Sequence, residues 1–424
     1  MEQWKTYKLS EIGQVIGGAT PSTKVASNYD GDIAWITPKD LSLLSGRYIY
    51  KGERSITEAG YKSCSCQMLP AGSILFSSRA PIGYIAIAGN ELCTNQGFKS
   101  IVPNTEIVNS HFLYYLLSYE KNRIAEMGSG TTFMEISGNV MKNIEVKLPH
   151  LSIQNKIAEI LTSLDEKIEN NQRINDNLEQ QAQALYKSWF VDFEPFKDCE
   201  FVDSELGLIP EGWQVGTYEQ IIQTTISGDW GKDIMTGNYI HKVACVRGCD
   251  FQDMSIGVQG KTPERYILEK NYHAKRLIDN DVIVEISGGT STISTGRVCL
   301  INANLLGKYN NDIVCTNFCK VVRPIQSYGA YLYYSWKYKY DCRVMFGYEN
   351  GTSGIKNFQI SDFLSKEPVI IPSESSIKEF QTIIDTLQNN IQTNGSEIMK
   401  LESLRDSLLP KLMSGELKIN EIDC

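Results

Sequence analysis

Two stretches of the chain carry apolar residues at helical spacing. From Ile153 the first runs through Ile157, Ile160, Leu161, Leu164, Ile168, Ile174, Leu178, Ala182 and Leu185. The steps are mostly three, four or seven, which is a heptad-like seam. Asn171 falls within it, where a polar residue can fix register. No proline interrupts before Pro195, and about 35 residues at 1.5 Å each predict a rod of roughly 50 Å. The second stretch runs through Ile377, Phe380, Ile384, Leu387, Ile391, Ile398, Leu401, Leu404 and Leu408. Gly395 weakens its middle and Pro410 is expected to end it. Two seams of similar length should pair with each other, and the long connection between them permits antiparallel packing.

Shorter alternating or continuous apolar runs precede each seam. Ile33–Ile36, Ser73–Phe76 and Gly83–Ala88 read as strands, and Ser110 to about Met127 as a helix. Strands first and helix later predict an α+β unit rather than a doubly wound sheet. The pattern then returns. Cys93-Thr94-Asn95 recurs as Cys315-Thr316-Asn317, Phe112-Leu113-Tyr114-Tyr115 as Tyr331-Leu332-Tyr333-Tyr334, and Gly130-Thr131-Thr132 as Gly351-Thr352-Ser353. A spacing of about 220 residues far exceeds a solenoid repeat. The expectation is two globular units, each followed by a long helix. An antiparallel helix pair would set those units at opposite ends, about a pseudo-twofold axis.

With 424 residues and 42% hydrophobic positions, the chain has material for two to four domains with real cores. No run of eighteen apolar residues occurs, and Met1-Glu2-Gln3-Trp4-Lys5 lacks the apolar stretch of a signal peptide. Eleven scattered cysteines then read as reduced thiols in a cytoplasmic protein. Cys64-x-Cys66 is too close for a zinc knuckle. A net charge of −9 opposes binding to nucleic acid, but its distribution matters. Segment 151–200 holds 10 acids and 5 bases, and segment 373–424 holds 9 and 5. The acidity therefore lies in the helical parts. The globular units are near neutral, which leaves room for a basic face on each.

Candidate contacts with DNA lie on or beside turns. In the first unit these are Thr37, Lys39, Ser77, Ser78, Arg79, Asn95, Lys99 and Thr131. In the second they are Lys232, Arg247, Ser287, Thr290, Thr292, Arg297, Lys320 and Thr352. Asn pairs bidentately with adenine edges and Arg with guanine, while Lys and hydroxyls suit phosphate. Taken singly, hydroxyls and amides equally explain turn capping; as a cluster they favour DNA. Base readout is assigned to residues such as Ser78, Arg79, Arg247, Thr290 and Thr292, and the backbone to Lys39, Lys99, Lys232, Arg297 and Lys320. Only the framework repeats, while the loops differ, as suits two units reading different targets. Catalytic motifs are missing: the chain has no phosphate-binding P-loop, HExxH, GxSxG or Asn-Pro-Pro-aromatic run.

Leu185-Tyr186-Lys187-Ser188-Trp189-Phe190-Val191-Asp192-Phe193-Glu194-Pro195-Phe196 resembles the end of the first helical region in specificity subunits of type I restriction–modification systems. Leu206-Gly207-Leu208-Ile209-Pro210-Glu211-Gly212-Trp213 resembles the start of their second target-recognition domain. Leu408-Leu409-Pro410-Lys411-Leu412-Met413-Ser414-Gly415-Glu416-Leu417 resembles their C-terminal ending. The likeness covers nearly the whole chain in the expected order. One departure is that the family often has Leu-Pro-x-Leu-x-Glu-Gln where a helix begins. Here the first copy reads Leu148-Pro149-His150-Leu151-Ser152-Ile153-Gln154, and Ile371-Pro372-Ser373-Glu374-Ser375 is further off.

The resemblance implies target-recognition domains at 1–149 and 204–372 and spacer helices at 150–196 and 373–417. Each domain would read one half of a bipartite, asymmetric site in double-stranded DNA. The helices would set the spacer as a ruler on the scale of one or two DNA turns, each about 34–36 Å. Two modification subunits would dock there and methylate adenine with S-adenosylmethionine. Restriction subunits, using ATP and Mg, would translocate and cleave. The chain itself would bind no cofactor and catalyse nothing. A fused methyltransferase is opposed by the missing motif. A scaffold that binds only protein predicts no sequence-selective DNA affinity.

Overall fold

A computed structural model describes residues 4–130, 134–290, 292–351 and 356–418. The chain divides into two compact units, one of residues 1–169 with 401–424, the other of residues 170–400. Each therefore contains a globular part and a portion of both long helices, which span Leu151–Phe190 and Glu374–Ser414.

The first unit is built on a five-stranded sheet with the order Gly13–Gly17, Lys99–Pro103, Ile74–Ser78, Ile82–Ala88 and Tyr48–Ile49. A three-stranded sheet places Tyr29–Ile36 between Ser55–Ile56 and Cys93–Thr94, the latter pairing parallel. The strand Lys5–Lys8 closes back on Glu145–Leu148 just before the first long helix. Helix Ser110–Glu126 packs Phe112, Leu113 and Leu116 into the main core, where Ile157, Leu161, Leu412 and Met413 of the long helices join them.

The second unit repeats this plan. Its four-stranded sheet runs Ile222–Ser227, Cys319–Pro324, Val282–Glu285 and Val298–Leu300. Tyr239–Val246 lies between Glu264–Leu268 and a parallel partner, Ile313–Cys315. Gln214–Thr217 closes on Pro368–Ile371 before the second long helix. Helix Gly329–Asp341 takes the place of Ser110–Glu126. The aromatic run that ends the first long helix forms the core here. Phe190 meets Tyr331 and Phe380 edge-on, each at 4.9 Å between ring centroids, and Trp213 packs on the same ring.

The two seams pair antiparallel inside each unit. In the second, buried Asn171 donates to Glu397 Oε2 at 2.7 Å, and Asn394 donates to Asn175 Oδ1 at 2.8 Å. In the first, Arg405 Nη1 meets Asp165 Oδ1 at 2.8 Å. Buried Arg47 and the Tyr115 hydroxyl reach the same carboxylate, the hydroxyl at 2.6 Å.

Two expectations about the second helix are corrected. Pro410 does not end it; the helix continues to Ser414. Leu412 and Met413, in the turn after the proline, are buried in the core, so tertiary packing offsets the lost backbone bond. Gly395 is not merely a weak point. A methyl carbon there would lie 2.6 Å from Gly257 Cα, so its bare surface admits the Ile256-Gly257 turn. Asn175 Nδ2 donates to Ile256 O at 2.8 Å, and the Lys308 ammonium donates to the carbonyls of Gly257 and Gln392. Burial pulls the Lys308 pKa down to about 8.

Candidate nucleic-acid interface

In each unit the C-terminal ends of three strands converge and hold one set of loops. In the first, Ala19 N donates to Thr94 O at 3.0 Å and Asn95 N to Ile36 O at 2.9 Å. Ser78 N donates to Gly97 O at 2.7 Å, and Ile136 N to Ser78 O at 2.9 Å. In the second, Asp229 N donates to Cys315 O at 2.8 Å and Thr316 N to Val246 O at 2.9 Å. Ile286 N donates to Phe318 O at 2.8 Å, and Phe358 N to Ile286 O at 2.9 Å. The same ladder is thus built twice. It matches Gly18 with Gly228, Ser78 with Ile286, Arg79 with Ser287, Gly97 with Phe318, Lys99 with Lys320, and Glu135 with Asn357. The ladder sets Thr94 against Cys315 and Asn95 against Thr316, one residue off the register of the Cys-Thr-Asn sequence repeat. Gly18 lies so close to the carbonyls of Thr94 and Asn95, and Gly228 to those of Cys315 and Thr316, that a side chain has no room.

The loop side chains fall into three groups. Some hydroxyls are used inside the fold. Ser77 and Ser78 are fully buried; Ser77 Oγ donates to Pro81 O at 2.8 Å and Ser78 Oγ to Gly97 O at 3.2 Å. Their role as exposed donors was inferred from a turn, but they end a strand whose hydroxyls face inward. Thr37 Oγ1 donates to Asp40 Oδ2 at 2.6 Å and caps the helix Pro38–Ser42. Asn95 Oδ1 accepts from Gly97 N at 2.8 Å, and Thr290 Oγ1 accepts from the Thr292 and Ile293 amides at 3.2 and 3.0 Å. Ser287 Oγ donates to Asn357 Oδ1 at 2.5 Å.

A second group consists of cations held by acids. Arg79 Nη1 and Lys99 Nζ approach opposite oxygens of Glu135 at 3.6 and 3.4 Å. Arg247 grips the buried Asp250 at 3.0 and 3.1 Å and donates to Lys261 O. Arg297 clamps Glu285 at 2.7 and 2.8 Å. These carboxylates hold the protons of Arg247 and Arg297 more firmly than usual. They also fix where each guanidinium points, which presents the remaining N–H groups in one orientation.

The third group is open. Lys39 is exposed beside Glu53, to which it donates at 2.6 Å; that carboxylate raises its pKa. Lys232 Nζ stands 5.7 Å from the Tyr239 ring centroid, and half-buried Lys320 follows the Phe318 turn. Thr131 and Thr352 lie outside the described residues.

Sequence reasoning missed the polar partners of these side chains. Asp250 had a signal, because it stands three residues after Arg247 at a strand end, the spacing of a capping box. Glu135 and Asn357 had none, because each meets its partner across 36 residues or more. Trp230 is 39% exposed, and Arg265 lies over its ring at 4.1 Å.

One frame built twice, with different side chains at matched loop positions, defines a duplicated recognition protein. A family model described as the type I restriction modification DNA specificity domain matches residues 1–180. The chain is 34% identical, over 436 aligned positions, to the specificity subunit of the type I restriction enzyme MjaIX of Methanocaldococcus jannaschii; the alignment covers 99% of this chain and 95% of that one. It is 26% identical over 483 positions to the HindI specificity subunit of Haemophilus influenzae, covering 98% and 100%. The S subunit of a type I restriction–modification system from M. genitalium shares the fold, with a TM-score of 0.53 at 17% identity and coverage of 97% and 96%. The chain belongs to the family of type I restriction–modification specificity subunits. It is a sequence-specific DNA-binding subunit, not the catalytic one, and works with DNA and the other subunits of such a complex. Among the described residues no helix is long and apolar enough to cross a membrane, and the ten described cysteines are free thiols.

Proposed function

We propose that residues 1–149 and 204–372 are the two target-recognition domains, and that each presents its convergent loops to one half of a bipartite, asymmetric DNA site. Residues 150–196 and 373–417 act as the spacer helices. They set the distance between half-sites and dock two modification subunits, which methylate adenine with S-adenosylmethionine. Restriction subunits using ATP and Mg join that complex, and the setting is the cytoplasm. The observation that carries this reading is the duplicated ladder with unlike residues at matched positions: a shared frame gives two similar heads, and its loops give two different addresses.

Within the first domain, Thr37, Lys39, Ser77, Ser78, Arg79, Asn95, Lys99 and Thr131 form the contact region. Arg79 meets a base edge, while Lys39 and Lys99 lie nearer phosphate. Buried Ser77 and Ser78 shape the loop. In the second, Lys232, Arg247, Ser287, Thr290, Thr292, Arg297, Lys320 and Thr352 play these parts. The test is to co-express the chain with its modification subunit and map methylated adenines by long-read sequencing. A single bipartite motif with one fixed spacer length is the expected result. A confirmed complex that methylates no motif would overturn the proposal.

A further inference from the structure

Gly97 and Phe318 occupy the same rung of the duplicated ladder, yet they differ more than any other matched pair. Gly97 is buried, and a methyl carbon there would lie 2.9 Å from Asn95 Oδ1 and 3.0 Å from Pro38 Cγ. The first domain thus fills this position from beneath and offers only backbone. In the second domain Gly248 follows the strand where Pro38 does in the first, and Phe318 stands 66% exposed. Its backbone is fixed on both sides: Phe318 O accepts from Ile286 N, and Cys319 N donates to Thr316 O at 2.9 Å. Among the described residues the ring packs in none of the cores of the second domain.

A phenyl ring so exposed on a fixed backbone adds little to the fold. Its surroundings identify what covers it. The polar Ser287–Asn357 pair stands on the neighbouring rung, at 2.5 Å. Lys320 lies two residues further on, which suits an anionic partner with apolar faces. Bases are such a partner, since each has a π-face and thymine adds a methyl group to the major groove.

We infer that Phe318 makes an apolar base contact in the half-site read by the second domain, and that the first domain makes no such contact because Gly97 takes its place. This rests on the proposed reading of the loops as the DNA-facing surface. One stacked base or one good base-edge contact is worth about 1–3 kcal/mol, or roughly 5- to 150-fold in affinity.

The experiment uses the complex of the full chain with its modification subunit and a duplex carrying the mapped motif. Affinity is measured for the parent and F318A against every single-base variant of both half-sites. F318A should weaken binding to the intact motif tenfold or more. It should relax discrimination at one or two adjacent positions of the second half-site and leave the first half-site unchanged. Two modified duplexes identify the contact. Uracil in place of thymine lowers parental but not F318A affinity if the methyl group is met. A 2-aminopurine that brightens with the parent and not with F318A marks a ring inserted against a base face.

If F318A binds the intact motif within twofold of the parent with full discrimination, the inference is overturned. It is equally overturned if F318A no longer associates with the modification subunit, which would make Phe318 an assembly residue. A parent complex with no motif would instead defeat the reading of the loops, so the two failures are distinguishable. Thermal melting of F318A should match the parent, because the ring supports no core.

Discussion

Replacing the glycine of a long helix by alanine normally stabilises it by about 1 kcal/mol. Gly395→Ala should do the opposite. The added carbon would lie 2.0 Å from Gly257 O and 2.2 Å from its carbonyl carbon, whereas carbon atoms prefer about 3.5–4.0 Å. The Ile256-Gly257 turn must therefore retreat by more than about 1 Å. It is tied down by Asn175, which donates to Ile256 O at 2.8 Å, and by the Lys308 ammonium, which donates to Gly257 O. A neutral hydrogen bond contributes about 0.5–1.5 kcal/mol and a charged one about 1.5–3. Forcing volume into a packed site costs about 1–3 kcal/mol by itself. If the overpacking is felt and the two bonds are only partly weakened, a net loss of about 2–3 kcal/mol remains after the gain in helix propensity, the low end of the range these terms allow. For a unit of this size that is a fall in melting temperature of about 5–10 °C.

The assay is thermal and urea unfolding of the full chain followed by far-UV circular dichroism, with Gly347→Ala as control. No atom lies within 4 Å of the Cβ added at Gly347, so this variant should melt with the parent. Lys308→Met combined with Gly395→Ala should lose less than the sum of the two single changes, because both act on one turn. A Gly395→Ala protein that melts at or above the parental temperature would refute the argument, since helix propensity alone would then decide the outcome.

Asp165→Ala should also destabilise, because Arg405 and the buried Tyr115 hydroxyl lose the carboxylate they share; Glu169 still faces Arg47 and Asp406 still faces Arg405, so a loss of about 1–3 kcal/mol is expected, measured by urea unfolding, and an unchanged midpoint would contradict it. Lys308, with its folded pKa lowered to about 8 from 10.5, keeps its proton longer in the unfolded chain. Stability of the parent relative to Lys308→Met should therefore rise from about pH 8 to pH 10.5 and be flat below pH 8; a gap that narrows over that range would be wrong in sign. Arg79→Ala should lose preference at one base pair, whereas Lys39→Ala should weaken binding to every sequence and reduce the salt slope by about one; competition binding at several salt concentrations reads both, and identical behaviour of the two variants would remove the distinction between base and backbone contacts.

What the amino-acid pattern reveals depends on how far apart the interacting residues lie. The helical seams are legible because their periodicity is local and long, and both copies pair as the spacing predicts. The strands Tyr29–Ile36 and Ile82–Ala88 are legible for the same reason. Pro410 and Gly395 mislead because a local rule was outweighed by distant partners, the core around Leu412 in one case and the Gly257 turn in the other. Ser77 and Ser78 look like loop donors, but the strand Ile74–Ser78 is buried on both faces, and their hydroxyls are taken up by nearby carbonyls. The resemblance identifies the class of protein from blocks of framework; it is silent on the loops.

The same contrast explains why the address is harder to read than the frame. Framework residues repeat because both units must build one ladder, and repetition makes them visible. Reader residues differ between copies because the two half-sites differ, so no internal comparison picks them out until the ladder aligns them. Once aligned, the contrasts are chemical. Arg79 and Lys99 share Glu135, while Ser287 meets the neutral Asn357. Exchanging the Arg79–Glu135 ion pair for the Ser287–Asn357 hydroxyl–amide pair, with a lysine kept at the matched positions 99 and 320, changes which groove edges can be matched, from acceptor-rich guanine toward partners that both donate and accept. Specificity in such a protein is therefore carried by matched positions whose residues disagree, and stability by those whose residues agree.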